Sequence, residues 1–171
     1  MLPMKILINI LDAITELSGR LISWATLLLM LLTLLVVILR YGFNIGSTAI
    51  QDTALYLHGA VFTFAAGYTL KHEGHVRVDV FYQTFSEKTR HLVDFFGTLL
   101  LLIPTSLFIG WVCLHYVGTS WEIKEASVEA GGLAYVYLQK TLLLVIVASL
   151  LIQGIVELYR HGHQLLTLRN S

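Results

Sequence analysis

Hydrophobic positions along the chain fall into four long runs that contain no charged residue. The runs cover residues 21–39, 53–70, 95–121 and 141–156, and the apolar pattern of the last one extends back to about residue 133. A helix needs about 20 mainly apolar residues to cross the hydrocarbon core of a bilayer. Because backbone groups in lipid must pair within their own segment, each run is predicted to be a helix. The pattern predicts an all-α integral membrane protein, a single membrane domain of residues 1–171 with four transmembrane helices at about 21–40, 50–71, 90–121 and 133–158.

Two shorter segments show a helical pattern with one apolar face. In residues 5–20 the apolar side chains share one face, namely Ile6, Ile10, Leu11, Ile14 and Leu17, and polar side chains occupy the other. This predicts an N-terminal amphipathic helix that lies on the membrane or extends the first span inward. Residues 78–85 are predicted to form a short interfacial helix between spans two and three. Ser86 followed by Glu87 is typical of a helix start.

Composition agrees with a membrane protein. Charged residues make up 13% of the chain and hydrophobic residues 56%, whereas about a quarter of the residues of a soluble domain are charged. The net charge is zero, so no nucleic-acid partner is predicted. The only cysteine, Cys113, excludes an internal disulfide framework and a Cys-rich metal site.

Lysine and arginine are distributed unequally between the two sides of the predicted membrane. Eight lie on the side of the chain ends, whereas Arg40 and Lys124 lie on the other side. Basic residues collect on the cytoplasmic side of bacterial membrane proteins. Both termini and residues 71–82, KHEGHVRVDVFY, are therefore predicted to be cytoplasmic, and the acidic loop of residues 120–132 is predicted to lie outside.

Two histidines inside the predicted spans raise the possibility of a haem. His58 lies six residues after Asp52, and His115 lies seven residues before Glu122. Both therefore lie about 10 Å from the outer face and could ligate a b-type haem. Hydrogen bonding in a helix-packing seam is the commoner role for such residues, and a membrane cytochrome usually has a second pair of ligands. We therefore predict no cofactor.

The sequence HEGH, residues 72–75, raises the possibility of a metal site. His72 and His75 are three residues apart, whereas the HExxH metalloprotease motif places its histidines four apart on one helical face. A metal would also need a third ligand, from His91 or Asp79. This passage is more simply explained as the polar turn at the membrane surface, so no metal is predicted.

The predicted spans hold one clear charge and one packing surface. Lys140 is expected to extend to the outer face and pair with Glu125 or Glu129, or to contact another subunit. Three small residues spaced four apart, Gly59, Thr63 and Gly67, form a face for close helix packing, within the chain or against a partner.

A transporter that works alone needs charged residues or broken helices near the middle of the bilayer. The charge-free runs of spans one to three leave no charge near the middle of the bilayer, so this chain is not predicted to move a substrate by itself.

The order and spacing of these elements resemble the small membrane subunit of tripartite ATP-independent periplasmic (TRAP) transporters, the DctQ family. Two passages carry the resemblance. A G-x-x-x-x-x-x-G-H-x-x-V-D-like passage after the second span is matched by Gly67, Gly74, His75, Val76, Val78 and Asp79. A W-x-x-x-E-x-S passage before the last span is matched by Trp121, Glu125 and Ser127. Residues 131–140, GGLAYVYLQK, depart from the Pro-containing form expected near the last helix of that family.

The resemblance implies a non-catalytic scaffold subunit in the bacterial inner membrane. Such a subunit braces a large, sodium-coupled membrane subunit that carries an organic acid by an elevator motion, and it helps to dock a periplasmic substrate-binding protein. We expect residues 44–51 and 121–132 to face the binding protein. The partner contacts are expected among Glu122, Glu125, Ser127, Lys140, Gly59 and Thr63. Two alternatives are a small b-type cytochrome or redox anchor that uses His58 and His115, and a transporter assembled from several copies of this chain.

Overall fold

The computed structural model describes the backbone of residues 2–75 and 82–170 and the side chains of residues 4–75 and 82–168. Throughout these ranges the regular structure is helical. The helices are α1 (Leu2–Gly42), α2 (Thr48–Lys71), α3 (Glu87–Gly97), α4 (Ile103–Glu122) and α5 (Val136–Asn170). A π-helical turn, Thr98–Leu102, joins α3 to α4 without a break. The prediction of an all-α protein is confirmed for this part of the chain.

Three helical stretches are long and apolar enough to cross a membrane. They are Met4–Gly42, Glu87–Glu122 and Val136–Leu168. The first two contain the predicted first and third spans, and the last contains the predicted fourth span from residue 136 onward. Helix α2 has 24 residues and is about 36 Å long, which is sufficient for a bilayer core. Its Asp52, His58 and Lys71 make it less apolar than the other three, so its role as a span remains a prediction.

Helix α1 is one continuous helix of 41 residues. The segment predicted as a separate amphipathic helix, residues 5–20, is its first part, which was the second of the two possibilities raised by the sequence. No proline follows Pro3 in α1 to break the helix. At about 61 Å, α1 is twice as long as a bilayer core is thick, so it extends well beyond one membrane face.

The predicted interfacial helix, residues 78–85, lies mostly outside the described residues. Tyr82 is helical, and Gln83 to Phe85 form the turn that precedes α3. The predicted helix start is confirmed, since the Ser86 hydroxyl accepts a hydrogen bond from the Thr89 amide at 3.3 Å and caps α3.

Helix α5 lies at the centre of the bundle, where α2, α3, α4 and the first part of α1 pack against it. Small residues allow the close approaches. A Cβ atom at Gly67 of α2 would lie 2.5 Å from Ser149 Oγ, and one at Gly110 of α4 would lie 3.1 Å from a Val147 methyl group. Glycine therefore sets the helix separation along α5, as is common in membrane bundles.

The two ends of the bundle are easily distinguished. The start of α1, the end of α2 and the end of α5 come together at one end, where Lys71 and Arg160 both contact Asp12. We call this end the terminal face. The α1–α2 and α4–α5 connections meet at the opposite end, where the Leu133 amide donates to Asp52 at 2.9 Å. We call that end the loop face.

Candidate functional site

The terminal face is held by a cluster of ion pairs that joins α1, α2 and α5. Lys71 Nζ lies 2.9 Å from both Asp12 Oδ2 and Glu16 Oε2. Arg160 donates from Nη2 to Asp12 at 2.6 Å and from Nη1 to Glu157 at 3.0 Å. We call these five residues the ionic layer. Each member contacts at least one group of opposite charge, so the cluster is suited to fixing three helices rather than to reacting with a substrate.

Two further residues bond to carboxylates of the ionic layer. Arg20 donates to Glu16 at 2.8 Å, which gives three cations for three carboxylates. On the inner side, the amide of the fully buried Gln153 donates to Glu157 at 2.7 Å. Because partly buried charges are costly unless they are paired and hydrogen-bonded, this balance lets the polar layer lie between packed helices.

Helix α3 is attached to the same end of α5 by a histidine pair. His91 Nδ1 and His161 Nδ1 are 3.1 Å apart, so one ring donates a hydrogen bond to the other. His161 Nε2 lies 3.6 Å from Glu157 Oε2, which links this pair to the ionic layer. The Tyr82 hydroxyl donates to Asp94 at 2.5 Å. These contacts position the turn before α3 against the end of α5.

The possible metal ligands of the HEGH passage are not brought together. His72 lies 3.1 Å from Glu16 of α1, and His91 lies against His161. His75 is exposed, and Asp79 lies outside the described residues. Within the ranges that the structure describes, no group of three His, Cys, Asp or Glu side chains could hold a metal ion.

Helix α2 ends in the middle of the same passage. The Glu73 amide donates to the Leu70 carbonyl at 3.1 Å, and the Gly74 amide donates to the Thr69 carbonyl at 2.8 Å. This pair of bonds is a Schellman cap, and its left-handed residue is Glu73, with a φ of 53°. Gly74 supplies the second amide of the cap. Of the remaining residues of this motif, Val76, Val78 and Asp79 lie outside the described part.

At the loop face, residues 123–135 form a loop closed by side-chain contacts that we call the clasp. Lys140 Nζ lies 2.5 Å from Glu125 Oε2, which is one of the partners that the sequence left open for this lysine. The Ser127 amide donates to the Leu133 carbonyl at 2.9 Å, and the Leu133 amide donates to Asp52 of α2. The ion pair with Lys140 lowers the pKa of the Glu125 carboxyl below its usual range. The carboxylate therefore stays ionised, and the clasp stays paired, at neutral pH.

Aromatic contacts complete the clasp. The Trp121 indole N–H donates to the Thr141 hydroxyl at 2.8 Å, and its ring packs edge-on against Tyr137. The Lys124 ammonium lies over the Trp121 ring at 4.6 Å. All three residues of the W-x-x-x-E-x-S passage, Trp121, Glu125 and Ser127, thus connect α4, the loop and α5.

The shorter α1–α2 connection forms the other part of the loop face. Asn44 has a left-handed φ of 56°, and the Ser47 hydroxyl accepts from the Ile50 amide at 3.5 Å to cap α2. Residues 41–46 are exposed. The two predicted docking regions, residues 44–51 and 121–132, therefore lie at the same end of the molecule.

The small-residue face of α2 is filled within the chain. A Cβ at Gly59 would lie 3.0 Å from a Leu142 methyl group, and the Gly67 amide donates to Ser149 Oγ at 2.8 Å. Thr63 is buried, and its hydroxyl donates to the Gly59 carbonyl at 2.9 Å. Gly59 and Thr63, expected among the partner contacts, thus face α5 of their own chain, because the glycines allow α5 to pack closely.

The two histidines considered for haem ligation are both exposed. His58 lies on α2 and His115 on α4, and these helices pack against α5 rather than extensively against each other. The structure therefore gives no support to a shared haem site.

A family model for the DctQ component of tripartite ATP-independent periplasmic transporters matches residues 29–162. The chain belongs to the DctQ family. No curated protein and no solved structure matches it. The match extends from the middle of α1 to beyond the ionic-layer residues of α5, so it includes the clasp and the α2–α5 seam. DctQ chains are small subunits of TRAP transporters, and the long apolar helices agree with a multi-pass membrane protein.

The ionic layer of this DctQ chain was not predicted from the sequence. Asp12 and Arg160 are separated by 148 positions, and each lies in a segment that looks like an ordinary charged helix end. The available signal was depth for two members only, since Lys71 directly follows the run 53–70 and Glu157 directly follows the run 141–156, whereas Asp12 lies nine residues before the first run. Charged residues at similar depths on neighbouring helices are candidates for pairing.

Proposed function

We propose that this chain is the non-catalytic scaffold subunit of a sodium-coupled TRAP transporter for an organic acid. It crosses the bacterial inner membrane four times, with α2 as the second span and the terminal face in the cytoplasm. It braces the large elevator-type subunit and helps to dock the periplasmic substrate-binding protein at the loop face. Membership of the DctQ family supports assembly with the other two transporter components. The observation that most directly supports the bracing role is the exposed face of α4.

One face of α4 has side chains that fit a protein partner better than lipid. Phe108, Trp111 and His115 are spaced three and four residues apart, so they share one helical face. All three are exposed, Trp111 to 75%. Trp111 lies 11 residues before Glu122, about 16 Å deep and close to the middle of a bilayer core. Tryptophan in contact with lipid favours the interfaces, and an imidazole in lipid lacks hydrogen-bond partners.

Helix α1 shows the contrasting pattern. Between Trp24 and Arg40 its large exposed hydrophobic side chains are leucine, isoleucine, valine and methionine, and the aromatic residues Trp24 and Tyr41 lie near the ends of the predicted span. That distribution is typical of a lipid-facing helix with aromatic residues at both interfaces. The comparison supports α4 as the side that receives the large subunit and α1 as a side that faces lipid.

Replacing Trp111 and His115 together by leucine should weaken binding of the large subunit. Both side chains are exposed, so the fold should tolerate leucine, whereas an interface anchored by an aromatic residue loses about 2 kcal/mol or more. We expect recovery of the large subunit by affinity purification of the tagged chain in mild detergent to fall at least tenfold. Leu28→Ala on exposed α1 is the matched control and should leave recovery unchanged. If the double variant recovers as much of the large subunit as the wild type, the large subunit does not bind to this face of α4.

The loop face offers an acidic surface to a soluble partner. Glu122 and Glu129 are exposed, and Val128 at the tip of the loop is 98% exposed. Glu125, by contrast, is held in the clasp by Lys140. The two outward carboxylates are therefore available for docking, whereas Glu125 shapes the loop that presents them.

Charge reversal should distinguish these two roles. Glu122→Lys with Glu129→Lys should lower uptake several-fold at low concentrations of binding protein and recover at high concentrations, because rim charges mainly alter association. Glu125→Lys places two ammonium groups together and should lower uptake at every concentration by opening the clasp. The measurement is uptake into proteoliposomes that contain both membrane subunits. Identical behaviour of the two variants would contradict the separate roles.

The proposed function as a whole is tested by reconstitution. Uptake should require this chain, the large subunit and the binding protein together, and should depend on a sodium gradient. Uptake by this chain alone would favour the transporter assembled from copies. A Soret band that disappears in His58→Ala or His115→Ala would restore the cytochrome alternative.

A further inference from the structure

A groove lies beyond the ionic layer on the terminal face, between the first part of α1 and the last part of α5. It consists of two adjoining cavities of about 480 and 320 Å³. Lys5, Tyr159 and His163 line both of them. Cavities of this size are typical of sites for small molecules or lipid headgroups.

The polar wall of the groove consists of hydrogen-bond donors. Besides the three shared residues, the lining includes Asn9, Arg160 and Gln164. Among the described residues that line the two cavities there is no aspartate or glutamate. Lys5 forms no ion pair within the described chain, and the two ion pairs of Arg160 use only part of its five N–H donors. This wall is complementary to an anionic group with many acceptor oxygens.

The opposite wall of the larger cavity is apolar. Met4, Leu158 and Leu166 line it. A ligand that fits both walls must combine an anionic head with a hydrocarbon portion, which is the chemistry of a phospholipid. A small inorganic anion would leave the apolar wall uncovered.

The position of the groove agrees with the headgroup layer of a membrane. Lys5 lies seven residues before Asp12, about 10 Å along α1, and His163 lies three residues after Arg160, about 5 Å along α5. The headgroup region extends roughly 5–8 Å beyond the hydrocarbon core on each side. With the ionic layer at the edge of the core, His163 lies within the headgroup region, and Lys5 lies a few Å beyond it, from where its long side chain can extend back to the lipid phosphate.

We propose that this groove binds the phosphodiester headgroup of an anionic phospholipid from the leaflet at the terminal face. Lys5 and Arg160 supply the charge, His163 and Tyr159 donate hydrogen bonds, and the apolar wall contacts the start of an acyl chain. The bound lipid ties the free ends of α1 and α5 together. This role does not depend on which side of the chain receives the large subunit.

Native mass spectrometry of the detergent-purified chain tests the proposal. Phosphatidylglycerol should bind several-fold more tightly than phosphatidylcholine. Lys5→Gln with His163→Gln should reduce phosphatidylglycerol affinity at least fivefold, since one basic residue near anionic lipid contributes about that factor. Lys5→Arg should retain binding. Lys88→Gln, which removes an exposed cation of α3 that does not line the groove, should leave affinity unchanged.

Four outcomes would overturn the proposal. Equal affinity for the two lipids, or an unchanged affinity in the double variant, would remove the charge-based site. If millimolar inorganic phosphate or glycerol phosphate displaces phosphatidylglycerol as strongly as added lipid does, the groove binds a soluble anion instead. If the large subunit protects Lys5 from chemical acetylation in the absence of anionic lipid, the groove is a contact site for that protein. Circular dichroism should show wild-type helicity in each variant, because Lys5 and His163 are exposed.

Discussion

Replacing Gly67 by alanine is expected to destabilise the bundle more than any other single added methyl group in α2. The new Cβ would lie 2.5 Å from Ser149 Oγ and 2.7 Å from the Ser149 carbonyl oxygen. The backbone of α5 must then move away from α2, and overpacking of this kind costs about 1–3 kcal/mol. Thermal unfolding in detergent, followed by circular dichroism, should show a melting temperature lower by roughly 3–10 °C. Recovery of the assembled transporter should fall in parallel.

Gly118 provides the matched control for this substitution. It lies within α4, and an added Cβ would have nothing within 4 Å. Gly118→Ala should be neutral or stabilise the helix by up to about 1 kcal/mol, because alanine has the higher helix propensity. Ser149→Ala should rescue Gly67→Ala only in part, since the carbonyl contact remains. An unchanged melting temperature for Gly67→Ala would show that α2 and α5 are not in close contact at this point.

The periodicity and the charge-free runs of the sequence predict the helices well. The runs beginning at residues 21, 95 and 141 each lie inside a long helix, since an apolar stretch of that length has no better way to satisfy its backbone. Ser86 was recognisable as a cap because its hydroxyl and the following Glu87 are local signals. The small-residue spacing of α2 predicted a packing face, but the sequence did not reveal which helix packs there.

The candidate sites depended on information that is not local. Lys140 and Glu125 are only 15 residues apart, and their pairing was predictable because a charged residue near a span end extends to the interface. The ionic layer joins residues from the first and last helices, and no sequence pattern connects them. Glu73 takes the left-handed position at the end of α2 although Gly74 follows it, so the residue types alone do not identify the left-handed residue of this cap.

Replacing Lys71 by methionine is expected to disrupt the terminal face. Lys71 is the residue between Asp12 and Glu16, and its side chain is only 14% exposed. Without it, two carboxylates one helical turn apart lose a shared cation in a partly buried site. Removing one partner of a fully buried pair costs 3–5 kcal/mol. Because the carboxylates keep some exposure, we expect about 2–3 kcal/mol here, measured as a lower melting temperature and as faster proteolysis of the first part of α1.

A double-variant cycle separates the ion pairs from the loss of the lysine stem. Lys71→Met with Glu16→Gln should recover part of the stability, because it removes one of the two carboxylates that shared the lysine, while Arg160 still pairs with Asp12. Lys88→Met removes an exposed lysine and should change stability by less than about 0.5 kcal/mol. If Lys71→Met and the double variant are equally destabilised, the lysine acts through packing of its stem. Recovery of stability in the double variant would instead show that the paired charges hold α1, α2 and α5 together beyond the apolar core. The same helices α1 and α5 form the two walls of the proposed lipid groove, so the ionic layer would also hold that groove in place.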